Sequence, residues 1–101
     1  MRALIWNYTL AVAKLDEARA LNGNEDDACR SVILTRLSLR RALVARGVTI
    51  AKLASLLNAI QGYAKAFSRE RLAYRFGIGD KAVTNVARIK AQRELFAQLA
   101  K

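Results

Sequence analysis

The chain has 101 residues, too few for more than one domain, and 53% of them are hydrophobic, enough to build a single core and to argue against disorder. It has no proline and only five glycines, so helix breakers are few and an all-α fold with short connections is expected. A net charge of +10 and a pI near 10.7 imply a polyanionic partner, while the absence of histidine removes the commonest general base and metal ligand.

The charge is unevenly distributed. Through Cys29 there are three basic residues (Arg2, Lys14, Arg19) against five acidic ones; from Arg30 onward fifteen basic residues face only Glu70, Asp80 and Glu94, a net +12. The front of the chain is thus expected to pack or associate, and the remainder to meet the anion. Cys29 is alone, so it forms no internal disulfide, and a reducing, cytoplasmic setting is the simplest expectation. The opening ALIWNYTLAVA superficially resembles a signal peptide. Asn7, Tyr8 and Thr9 interrupt it, and the helical pattern continues to Leu21, so it is read as part of the first helix.

Leu4, Ile5, Tyr8, Ala11, Val12, Leu15 and Ala18 recur at helical spacings and predict a first helix ending at Asn22-Gly23. Asn24 followed by Glu25, Asp26 and Asp27 predicts a capped start to the second, the acids complementing its dipole rather than holding a metal. That helix should reach about Ala45, with Cys29, Val32, Ile33, Leu37, Leu43 and Val44 on its apolar face and Arg36 and Arg40 inside or beside it. The two arginines are expected to pair with Asp16 or Glu17 of the first helix, with a neighbouring phosphate backbone as the alternative. Thr49 predicts a third cap and a helix to about Ile60; Gln61-Gly62 then breaks it, leaving Tyr63 to Phe67 as a connector.

The segment from Ser68 to Arg88 carries the functional signal. Ser68 is expected to cap a helix in which Leu72 and Phe76 point inward and Ala73 is the small contact residue. Gly77 makes the turn, Ile78 plugs the space beneath it, and Val83 and Val86 secure a second helix starting near Asp80. The segment resembles the helix-turn-helix of bacterial and phage regulators, in which Ala, Gly and Val recur at the offsets of Ala73, Gly77 and Val83. Its continuation, Val86 to Leu95, resembles the long last helix of sigma-factor region four and similar trihelical domains. One departure is Gly79, where many such motifs cap the second helix with Ser or Thr.

The resulting expectation is about five helices in one compact bundle, with residues 1–62 for packing or dimerisation and residues 63–101 for DNA. The resemblance implies a homodimeric transcriptional regulator of a bacterium or phage, bound to double-stranded DNA, with RNA polymerase as a candidate protein partner. Lys81, Thr84, Asn85 and Arg88 would then face base edges, while Arg69, Arg71, Arg75, Lys90 and Arg93 would meet phosphates. Leu4, Ile5, Trp6 and Tyr8 form the candidate dimer surface. No cofactor, metal or membrane enters this reading. Its main rival is a phage- or plasmid-encoded inhibitor or adaptor docking its basic face on an acidic protein. An RNA-binding module ranks below both, since the usual aromatic platform on a sheet has no counterpart here.

Overall fold

The computed structural model describes residues 1–100, which form four helices: α1 (Arg2–Ala20), α2 (Glu25–Ala45), α3 (Ile50–Phe76) and α4 (Lys81–Leu99). The all-helical class is as expected, but there is one helix fewer, because α3 runs unbroken through Gly62. Ile60 and Ala64, on either side of that glycine, are completely buried, while Gly62 itself lies on the exposed side. A glycine there costs about 1 kcal/mol of helix propensity. Burying Ile60 and Ala64 on a continuous helix outweighs that cost.

The local start and stop signals act as read. Asn24 caps α2, its side chain accepting from the Asp26 N–H at 2.9 Å, with three carboxylates in the first turn. Thr49 accepts more weakly from the Lys52 N–H, at 3.4 Å. Gly77 ends α3 in the left-handed conformation (φ +66°), and the Ile78 N–H reaches back to the Leu72 carbonyl at 3.2 Å.

α3 is the one element that meets all three others, and α1 is packed on one side by α2 and on another by α3. Ile5, Tyr8 and Val12 join Leu39 and Leu43 of α2, Leu53, Leu56, Ile60 and Ala64 of α3, and Leu95 of α4 in a single core. Two of the four residues proposed for a dimer surface, Ile5 and Tyr8, are therefore spent on this core. Leu4 is half-buried, and only Trp6 stays exposed, its ring edge-on to Phe67 at 5.3 Å.

Polar groups also tie α1 to α3. Within α1 itself, Thr9 is fully buried and donates to the Ile5 carbonyl one turn back, at 2.8 Å. Ser68, expected to cap a helix, instead lies inside α3, where its hydroxyl is buried and donates to Asp16 at 2.7 Å. Lys65 donates to the other oxygen of Asp16 at 3.3 Å, and Arg71 approaches Glu17 at 4.0 Å. The acids expected to receive Arg36 and Arg40 are thus taken by α3. Arg36 meets α3 differently: with the Gln61 amide oriented to satisfy both groups, its oxygen accepts from the Arg36 guanidinium at 3.2 and 3.3 Å. Arg40 is exposed.

α2 is also rotated relative to the sequence reading. Leu39 and Leu43 are buried, whereas Ile33, Leu37 and Val44 face outward. α2 meets essentially one neighbour, so a narrow stripe suffices to bury it, and the second apolar line is left free. No helix is long and apolar enough to cross a membrane among the described residues.

Candidate nucleic-acid interface

The segment singled out by sequence is the end of α3, the turn at 77–80 and α4. Three local features come from its residue types: Ala73 is completely buried, Gly77 makes the left-handed turn, and α4 begins on a capped end. The cap is Asp80 rather than Gly79, its carboxylate accepting from the Val83 N–H at 3.0 Å. Asp80 therefore serves the helix terminus, the use the dipole favours. Gly79 supplies a second positive φ, of +100°.

The two helices stay together far from this turn. Glu70, seven residues before Gly77, holds Arg88, eight residues after Asp80. Tyr63 and Leu95, fourteen and fifteen residues away, still line one groove. Fourteen residues of helix span about 21 Å, so helices leaving the turn at 90–120° would have separated widely by then. α3 and α4 form an antiparallel hairpin, not the steep crossing expected of a helix-turn-helix.

That arrangement reverses several assignments. Val83 and Val86, expected to face the core, are 65% and 66% exposed. Phe76 and Ile78 are exposed in part rather than tucked beneath the turn, and Leu72 is half-buried. In their place Asn85 and Arg88 turn inward. Asn85 donates to Glu70 at 2.9 Å; Arg88 donates through Nε to both Glu70 oxygens at 3.1 and 3.2 Å and through Nη1 to Gln92 at 2.7 Å. In an antiparallel pair the α4 residues level with Glu70 must face α3, and these are Asn85 and Arg88. Thr84 is half-buried, its hydroxyl donating to the Asp80 carbonyl at 2.8 Å. Of the four proposed base readers only Lys81 is open to solvent, with its ammonium 5.6 Å from the Tyr74 ring centre.

The proposed phosphate contacts divide similarly. Arg69, Arg75, Lys90 and Arg93 are exposed, and none lies within ion-pair distance of a carboxylate among the described residues. Arg71 is the exception. Half-buried against Glu17, with an Nε that finds no acceptor, it is part of the α1–α3 packing. Lys90 and Arg93 lie together with Val86, Ile89 and Glu94 along the outer side of α4.

Sequence reading missed Glu70 as an organiser and Tyr74 as the ring beneath Lys81. A signal for Glu70 was present: it is one of only three acids after Cys29, in a segment full of arginine. Compared with protein-family models, curated proteins and solved structures, the chain matches none.

Proposed function

We propose that the protein binds double-stranded DNA through phosphate contacts made by the α3–α4 hairpin. The observation that carries this reading is the set of exposed cations at Arg69, Arg75, Lys81, Lys90 and Arg93, none within ion-pair distance of a carboxylate among the described residues, in a chain of net charge +10. A folded protein that keeps so many like charges unneutralised is stabilised by a polyanion, which releases its condensed counterions on binding. Val83, Val86, Lys90 and Arg93 give the outer side of α4 a mixed apolar and basic character suited to a groove and its walls, with Glu94 beside them.

Base reading is a separate matter in this proposal. Asn85 and Arg88 are the residues best suited to adenine and guanine, and Glu70 holds both. Binding led by phosphates, with modest sequence preference while the Glu70 clasp is closed, follows. A role as a homodimeric transcriptional regulator then requires that clasp to open on a preferred site.

Fluorescence polarisation on mixed-sequence duplex DNA at two salt concentrations tests the proposal. Wild type should bind at low salt and weaken steeply as salt rises. Lys90→Ala/Arg93→Ala should lose affinity and flatten the log–log salt slope by about 0.9 for each contact removed. Absence of binding at low salt would overturn the reading and redirect the basic surface to an acidic protein partner.

A further inference from the structure

α2 presents two different sides. Val32, Leu39 and Leu43 face the core, while Ile33, Leu37 and Val44 are 61%, 40% and 56% exposed. At 3.6 residues per turn these last three fall on one line, roughly opposite Leu39. Asp26 lies at the head of that line, Arg30 and Arg41 flank it on one side, and Arg40 flanks it on the other; all four are exposed. The outer side of α2 thus carries Asp26 at its start with Arg30 one turn on, an apolar middle, and two arginines at its end.

We propose that this side is an interface with a second copy of the chain, the two α2 helices packing antiparallel about a two-fold axis between Ile33 and Leu34. A two-fold contact uses the same patch on both copies, so the patch must complement itself. A parallel arrangement sets arginine against arginine. The antiparallel one sets Asp26 and the neighbouring exposed Asp27 of each copy against Arg41 and Arg40 of the other, with Ile33 and the adjacent Leu34, 55% exposed, meeting their counterparts and Leu37 covering the aliphatic stem of Arg30. An anionic membrane surface would be repelled by Asp26 on the apolar line itself, and a purely acidic partner leaves Asp26 and Asp27 unmatched. One helix from each copy covers an area at the low end of specific interfaces, about 1,000 Å² in total, so association belongs in the micromolar range. The inference does not rest on nucleic-acid binding.

Sedimentation equilibrium of the full chain across micromolar concentrations tests it. Wild type should reach the dimer mass, and Leu37→Glu should raise the dissociation constant about tenfold or more. Asp26→Arg and Arg41→Asp should each weaken association several-fold, and the two together should restore it, with unchanged helical circular dichroism since all three positions are exposed. A wild type that stays monomeric overturns the proposal. So does a dimer that Leu37→Glu leaves intact and Val86→Glu breaks, which places the contact on α4. A double variant no better than the singles overturns the antiparallel register.

Discussion

The same substitution, glycine to alanine, should have opposite signs at two points of α3. Gly62 sits within the helix on its exposed side, and a Cβ added there meets nothing within 4 Å. Its replacement should therefore gain the full difference in helix propensity, about 0.8–1 kcal/mol. Gly77 also has nothing within 4 Å of an added Cβ, but its φ is +66°. There the cost is conformational alone, about 1–2 kcal/mol for holding an L-residue in the left-handed region. The variants should thus differ by about 2–3 kcal/mol, with no change of contacts in either. For a domain of this size, each kcal/mol moves the thermal midpoint by about 4–8 °C. Urea unfolding followed by helical circular dichroism measures both, and parallel transitions of unchanged slope establish that stability alone has changed. Gly62→Ala matching or falling below wild type would refute the reasoning, because a chain that breaks at Gln61–Gly62 has no helical site there for alanine to favour.

Three further expectations concern buried and half-buried polar groups. Asp16→Ala strands the buried Ser68 hydroxyl and should cost about 1–3 kcal/mol in urea unfolding, more than Ser68→Ala, which leaves Asp16 its contact with Lys65. Glu70→Gln removes the charge that holds Arg88 and Asn85; it should lower stability by about 1–2 kcal/mol while tightening duplex binding, and unchanged DNA affinity would separate the clasp from base reading. Burial holds the Tyr8 and Tyr63 phenols above the ordinary 10.0, against the opposing pull of Arg36 on Tyr8 and of Arg88 on Tyr63, with Glu70 adding to the rise at Tyr63. Because the folded values are raised, their contribution to stability is complete below pH 10.0 and is lost as pH rises through the folded values. Tyr8→Phe and Tyr63→Phe should each remove a late step from the phenolate absorbance titration and reduce the alkaline fall in stability.

Features decided within a few residues were legible in the sequence. Asn24 with its three acids specified the start of α2, and Gly77 specified the end of α3, because caps and positive φ depend on immediate neighbours. Features decided by distant partners were not. α2 carries two apolar lines, through Val32, Leu39 and Leu43 and through Ile33, Leu37 and Val44, and only the docking of α1 selects the first. Gly62 was locally a fair break, overridden by Ile60 and Ala64 on either side of it. The orientation of Asn85 and Arg88 follows from Glu70, fifteen and eighteen residues earlier. The Val83–Val86 spacing fits a core stripe and an exposed stripe equally well.

The position of α1 between α2 and α3 also shapes how the chain acquires its fold during synthesis. α1 and α2 can pair as soon as both have emerged, through a short local connection. The side of α1 that carries Asp16 and Glu17 finds Ser68, Lys65 and Arg71 only after some fifty more residues are made. At roughly 5–20 residues per second that side waits several seconds in water. A carboxylate pair tolerates such a wait, whereas a fully apolar strip would recruit chaperones or neighbouring nascent chains.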